Sequence, residues 1–258
     1  MEQERIRAFA SELFEAKRNR LPVAPLTDRG DVTVYDAYMI QMENIRRAEN
    51  MGYHISGKKI GLTSLGMQEQ LGVHEPDYGH LFAAMDCAGG IVNTLELIQP
   101  KIEAEVAFVL KSDLPGGTVT PEGVRKATDY VIAAFEIVDS RVADWRIKLP
   151  DTIADNASSG RYILGAKRVN ISEVDLPSEH MKLWKNGVCV NEGTGAAVLG
   201  DPAIAVAWLA NKLWEFGSPL KAGEVVLSGA LTAAPAAVKG DRFRAEFSTL
   251  GTIEGEFV

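Results

Sequence analysis

The sequence predicts an α+β fold in which a helical region precedes a β-rich core, and three observations support that class. The first fifty residues place apolar side chains at helical spacing. After Gly57 the texture changes to short apolar runs broken by glycine and proline. Those runs outnumber the helical stretches among them and do not alternate with them, which argues against a doubly wound parallel sheet. The expected organisation is a helical region over residues 1–56 packed on a core over residues 57–258, the two forming one structural unit.

Each element has its own justification. From Gln3 to Asn19, Ile6, Phe9, Leu13 and Phe14 recur between charged positions, the pattern of an amphipathic surface helix ended by Leu21-Pro22-Val23-Ala24-Pro25. Thr33 with Asp36 three residues on reads as an N-cap, and Gly52 is the expected terminator of that second helix. Strands are expected at Lys101 to Leu110, Val131 to Val138, Glu224 to Leu227, Phe243 to Phe247 and Ile253 to Val258. Asn186-Gly187 between Met181-Trp184 and Val188-Val190 is a hairpin turn. Two helices interrupt the strands, one capped by Thr120 with Pro121 in its first turn, the other starting at Asp201-Pro202 and closing at Gly217.

Composition narrows the function. With 27 basic against 35 acidic residues and a net charge of -8, the chain is a poor match for nucleic acid, whose binding rests on neutralising phosphates. Small molecules are the expected partners. No run of about 18 apolar residues could span a bilayer, and the N-terminus lacks a basic stretch followed by an apolar segment, so a cytoplasmic protein is expected. Cys87 and Cys189 are far apart, without a CxxC spacing, and are expected to be apolar packing residues.

The most informative stretch is Lys101-Ile102-Glu103-Ala104-Glu105-Val106-Ala107-Phe108-Val109-Leu110. As a strand it puts Ile102, Ala104, Val106, Phe108 and Leu110 on one face and Glu103, Glu105, Ala107 and Val109 on the other. The two glutamates then stand about 7 Å apart on the same side, close enough to grip one cation. Glu136 shares its strand face with Ile132, Ala134 and Val138, where an unpaired carboxylate must protonate, meet a base or bind a metal. Oxygen donors without histidine or cysteine suit a hard ion such as Mg²⁺ or Mn²⁺. The bland alternative is a solvated edge strand with a salt bridge to Lys101 or Arg141.

Other motifs are weaker. Lys58-Lys59, before Ile60-Gly61-Leu62-Thr63-Ser64, either sends one lysine into a dry pocket or forms a surface turn. His74 to His80 reads as a loop, able to hold an acid/base residue or merely solvated. Asp151 to Gly160, rich in small hydrogen-bonding side chains, reads as a loop that binds a carboxylate or simply connects elements. Gly193-Thr194-Gly195 begins a dinucleotide fingerprint, but Val198 stands at the third glycine position, so no nicotinamide cofactor is expected.

Taken in order, "PLTDRG" at Pro25, "GKKIGLTS" at Gly57, "LGVHEPDYGHL" at Leu71, "PKIEAEVAFVL" at Pro100, "FEIVDSR" at Phe135, "DTIADNASSG" at Asp151 and "LKAGEVVLSGALTA" at Leu220 resemble the 2-keto-4-pentenoate hydratase and 4-oxalocrotonate decarboxylase family of the fumarylacetoacetate hydrolase superfamily. The resemblance implies a mixed β-sandwich or roll core and a divalent metal, Mg²⁺ or Mn²⁺, on Glu103, Glu105 and Glu136. It also implies catalytic Lys59 and Asp77, and substrate contacts from Ser158, Ser159, Gly229 and Thr232. Hydratase is the favoured activity, because "PLTDRG", Val138 to Thr152 and "KAGEVVLSG" look like the hydratases. Ser158 to Gly165, Gly195 to Ala203 and Gly229 to Val238 lean toward the decarboxylases. The family further implies a homo-oligomer and a complex with a partner pathway enzyme; a non-catalytic partner subunit stays open as a different class of function, though retention of Glu103, Glu105, Glu136, Lys59 and Asp77 counts against it.

Overall fold

The computed structural model describes residues 1–258, apart from the side chains of Met67, Gln70 and Leu71, the last of which opens the Leu71 to Leu81 motif. Two long helices come first, α1 at Gln3–Asn19 and α2 at Val34–Asn50. Ile6, Phe9, Ala10, Leu13 and Ala16 form the buried stripe of α1, as their spacing predicts. Thr33 caps α2 by accepting from the Asp36 amide, while the Asp36 carboxylate accepts from the Thr33 amide, so two otherwise orphaned donors are satisfied. That helix stops at Asn50, two residues before the expected glycine.

Eleven strands follow among the described residues: β1 at Ile55–Gly61, β2 at Asp77–Phe82, β3 at Ile91–Val92, β4 at Pro100–Leu110, β5 at Thr128–Asp139 and β6 at Ser159–Leu164. The remainder are β7 at His180–Lys185, β8 at Val188–Thr194, β9 at Val225–Ala230, β10 at Arg242–Phe247 and β11 at Gly251–Phe257. They form a six-stranded sheet in the order β2-β1-β9-β4-β5-β6 and a five-stranded sheet in the order β3-β11-β10-β7-β8. Four shorter or later helices complete the fold: α3 at Leu65–Leu71, α4 at Pro121–Ala127, α5 at Leu149–Ala154 and α6 at Pro202–Trp214.

β4 and β5 lie inside the larger sheet and are the longest pair in it, antiparallel and in register from Pro100↔Asp139 to Phe108↔Val131. One face of this pair, Ile102, Ala104, Val106, Phe135 and Ile137, joins Phe243, Ala245, Ile253 and Phe257 of the smaller sheet in one apolar cluster. The opposite face is covered as well, by Leu81, Phe82 and Ile45 over Ala107, Ile132 and Ala134. The solvated-edge alternative for the glutamates therefore fails, because their strands are interior and buried on both sides.

Three local expectations are corrected. His74 to His80 is not wholly a loop, since Asp77–Phe82 forms β2 with all six residues buried. Asp77 and His80 hid that strand, because ionisable residues normally mark solvent. Asp151 to Gly160 is likewise not one loop. Its start belongs to α5, where the Asp151 carboxylate accepts from the amides of Lys148 and Thr27, and its end opens β6. Cys87 packs against the core, but Cys189 is exposed, because β8 is an edge strand. Among the described residues no helix is long and apolar enough to cross a membrane.

His80 has a thermodynamic consequence. Its side chain is buried beside Tyr78, and neither ring nitrogen has a hydrogen-bond partner. Burial first, and then the Lys58 charge, push its pKa down from 6.5 to about 3. Since the unfolded chain binds the proton more readily, stability is full above pH 6.5 and falls as pH drops through the window down to about 3. At pH 5 this one group is expected to have removed about 2 kcal/mol. Urea unfolding at pH 7.5 and pH 5 checks it: His80→Phe should show a smaller drop than the wild type, and an equal drop would dismiss His80 as the cause.

Candidate metal centre and active site

The glutamates converge because of strand register. Glu103 lies directly across from Glu136 in the β4/β5 ladder, and Glu105 is two residues along the same face. Each offers one carboxylate oxygen, and the three lie within 4.8 Å of one another. Glu105 and Glu136 are fully buried and Glu103 is half-buried. Glu105 Oε2 accepts from the Gly229 amide at 2.8 Å, which aims the carboxylate. Its Oε1 and both oxygens of Glu136 have no hydrogen-bond partner.

Lys59 is the compensating base. It projects from β1, and its Nζ lies 3.1 Å from Glu136 Oε1, at ion-pair distance though not in hydrogen-bond alignment. Burial works against its charge, but Glu136, followed by Asp77, Glu103 and Glu105, outweighs that and holds its pKa above the ordinary lysine value. The expected partners Lys101 and Arg141 are elsewhere: Lys101 stacks on Trp145 and Arg141 binds Asp155. All three glutamates are shifted upward, chiefly by burial, with Lys59 the largest opposing influence on Glu103 and Glu136.

Asp77 completes the group. It pairs with Gly61 across β1 and β2, on the same face as Lys59. Burial raises its pKa, against the pull of Lys59 and of the Thr152 hydroxyl, which donates to Oδ2 at 3.0 Å. Gly61 makes room: a Cβ there would stand 2.2 Å from Asp77 Oδ1 and 3.5 Å from Lys59 Nζ. Gly229, at φ +113°, allows the close approach of Thr63, whose Oγ1 would be 2.2 Å from an added Cβ.

The remaining candidates sit around this cluster rather than in it. Ser158 and Ser159 end a turn that presses against β2, where a Cβ on Gly79 would meet Asn156 O at 2.3 Å. The Ser158 hydroxyl donates weakly to Asp155 Oδ2 at 3.4 Å, and the Ser159 hydroxyl donates to Asn156 O at 2.8 Å. Thr232 follows β9 and lies near Gly193 of the smaller sheet. Sequence reasoning missed Thr152, Thr63, Gly61 and Asn156. Thr152 and Asn156 lay in the Asp151 to Gly160 tract and Gly61 and Thr63 in the stretch after Lys59, both already marked, but nothing there distinguished them.

An electron-rich cradle with three unsatisfied carboxylate oxygens, aimed by a backbone amide and neighboured by one lysine, fits a hard divalent cation. Residues 88–258 match the family described as fumarylacetoacetate (FAA) hydrolase C-terminal. The chain belongs to the fumarylacetoacetate hydrolase family. Within that family it is 46% identical to a 2-hydroxyhexa-2,4-dienoate hydratase of Comamonas testosteroni, over 98% of this chain and 97% of that one. It is 46% identical to a 2-keto-4-pentenoate hydratase of Paraburkholderia xenovorans, over 96% and 93%. Among solved structures of the fumarylacetoacetate hydrolase fold, a 4-oxalocrotonate decarboxylase from Pseudomonas putida G7, complexed with magnesium and adipate, superposes with a TM-score of 0.97. It is 38% identical and covers 100% of this chain and 99% of that one.

Glu105→Gln removes one charge and one of the unsatisfied oxygens while keeping the volume. Calorimetric titration with Mn²⁺ should show affinity falling by about tenfold or more. Unchanged affinity would take Glu105 out of the ligand set.

Proposed function

We propose that the chain is a divalent-metal-dependent lyase that adds water to 2-hydroxypenta-2,4-dienoate to give 4-hydroxy-2-oxopentanoate, a step in the meta-cleavage catabolism of aromatic compounds. The observation that carries this reading is the convergence of Glu103, Glu105 and Glu136, with orphaned oxygens, on one buried lysine. Relatives at 46% identity over nearly the full length carry hydratase names, which supports the reaction type.

Glu103, Glu105 and Glu136 would hold Mg²⁺ or Mn²⁺. When bound, the ion supplies Lewis-acid polarisation of the substrate's carboxylate and 2-oxygen. The chain's own residues then manage protons. Ketonisation takes the proton from the enol hydroxyl and places one on the terminal carbon, leaving an enone that is electrophilic at C4. Lys59, kept charged by the surrounding acids, holds a proton beside the cluster. Asp77, with its raised pKa and its Thr152 hydrogen bond, can exchange a proton with the water that adds its oxygen to C4 as C3 is protonated. Ser158, Ser159 and the Gly229 backbone orient the substrate, and Thr232 lies toward its tail. A small-molecule substrate and assembly into a homo-oligomer in the cytoplasm complete the proposal.

A second reading is decarboxylation of 4-oxalocrotonate, favoured by the TM-score of 0.97 to the solved decarboxylase. Both reactions place negative charge on the same 2-oxygen, so the cluster serves either. A non-catalytic partner subunit is disfavoured, because such a subunit has no use for a buried, mutually repelling carboxylate group.

The test is an assay with Mg²⁺ or Mn²⁺ present, supplying each substrate separately and following dienol loss and carbon dioxide release. Dienol loss without carbon dioxide supports the hydratase; carbon dioxide from 4-oxalocrotonate alone supports the second reading; neither would reject both. Gly61→Ala should lower kcat by about 100-fold by displacing Asp77, with Mn²⁺ affinity retained. Wild-type kcat in that variant would dissociate Asp77 from the chemistry.

A further inference from the structure

A second concave site lies behind the turn that carries Ser158. It is a cavity of about 490 Å³ between α1, α2 and the segment from Ala154 to Arg161, and none of Glu103, Glu105, Glu136, Lys59 or Asp77 lines it. Its volume is in the range of small-molecule pockets. The floor is apolar, with Leu13, Ile45, Phe82 and Met85.

The charge on its walls does not balance. Lys17, Arg18, Arg20, Arg141 and Arg161 line it, against Glu96 and Asp155. Arg141 is bound to Asp155, and Arg161 pairs with Glu96. Arg18 turns outward to Glu15 in an exposed pair. Among the described residues no carboxylate lies within ion-pair distance of Lys17 or Arg20. Lys17 is exposed and lines the cavity, where the surrounding protein first, and then the guanidiniums of Arg141 and Arg161, pull its pKa down to about 8. Two cations without an ion-pair partner, over an apolar floor, form a surface complementary to one anionic head on an apolar body.

We propose that this cavity binds a small organic carboxylate with an apolar body, with Lys17 and Arg20 taking the carboxylate and Leu13, Ile45, Phe82 and Met85 taking the body. An inorganic anion would leave the floor wet, and a neutral apolar molecule would leave the cations unpaired. The site stands apart from the reaction, whichever of the two that is. It shares one wall with the catalytic region, because Asp155 and Asn156 line the cavity on one side and hold the Ser158 turn on the other.

The experiment is calorimetric titration of the Mg²⁺-loaded chain with benzoate, with benzamide and sulfate as probes lacking the charge or the body. Saturable benzoate binding should weaken by about tenfold or more in Lys17→Glu, and in Lys17→Met to a lesser degree, while benzamide and sulfate give no saturable heat. Circular dichroism and thermal melting without benzoate should match the wild type for both variants, as should basal turnover. Benzoate affinity unchanged in Lys17→Glu would place the molecule elsewhere, for instance on the metal, and would overturn the proposal. So would the absence of saturable benzoate binding to the wild type, the result expected if a second copy of the chain covers the cavity.

Discussion

The structure is organised around the electrostatics of one sheet face. Glu103, Glu105, Glu136 and Asp77 face a single base, Lys59, inside a region from which solvent is largely removed. Burying unpaired charge costs several kcal/mol per ion, and one lysine cannot neutralise four acids. Burial raises the pKa of all four acids, and for the three glutamates the neighbouring acids add to it. A doubly charged cation is the simplest way to offset the remaining negative charge, so the features that make the site costly without metal also make it attractive to metal. The rest of the molecule must then hold the acids against their mutual repulsion. Register does most of this: Glu103 opposite Glu136, in an antiparallel ladder regular from Pro100 to Val109, cannot move apart without breaking interior strand hydrogen bonds.

A second constraint concerns the turn beside the cluster. Asn156, Ala157 and Ser158 all have positive φ, at 55°, 48° and 54°. For L-residues this conformation costs about 1–2 kcal/mol each, and three in succession persist only if their surroundings over-determine them. They do. The Asn156 side chain accepts from the His80 amide and donates to the His80 carbonyl, imitating a strand neighbour for β2. Arg141, fully enclosed, binds the carboxylate and carbonyl of Asp155 just before the turn and the carbonyls of Asp139 and Ser159 around it. Gly79 completes the fit by having no side chain where Asn156 approaches. The Arg141 to Asp155 pair is thus a brace for the turn, and His80, though chemically silent, is part of the same brace through its backbone.

How much of this was legible depends on whether a residue's role is local. The two-residue period alone put Glu103 and Glu105 on one face, and Glu136 was suspect because apolar neighbours surrounded it. The α2 capping box, the Asn186-Gly187 hairpin and the Asp201-Pro202 helix start were equally readable, because each is written within a few residues. What failed was set by tertiary burial. β1 and β2 carry Lys58, Lys59, Asp77 and His80 in interior positions, so a polarity pattern reads them as surface. Lys58 is enclosed only because Glu224, far along the chain, accepts from its ammonium at 2.6 Å. α5 is six residues long, too short for helical periodicity to register, and its stability comes from Asp151 reaching back to Thr27. Thr152 could not be singled out before Asp77 was known to lie opposite it.

The arrangement also locates where two related reactions must diverge. Hydration and decarboxylation of these substrates both need charge gathered at the 2-oxygen, so a cluster built for one serves the other, and Glu103, Glu105, Glu136 and Lys59 alone do not separate them. Selectivity has to arise at the substrate's far end, where one reaction presents a terminal carbon and the other a second carboxylate. On the proposed reading, in which Thr232 lies toward the substrate's tail, the segment after β9 makes that choice. It is anchored to β4 through the Leu231 amide and the Ala104 carbonyl, and it lies against Gly193 of β8. A Cβ on Gly193 would stand 2.2 Å from Leu231 O, so any side chain there would shift the Leu231-Thr232 backbone. The smaller sheet, which contributes nothing to the carboxylates, is therefore able to set the position of Thr232, the residue proposed to lie toward the substrate's tail.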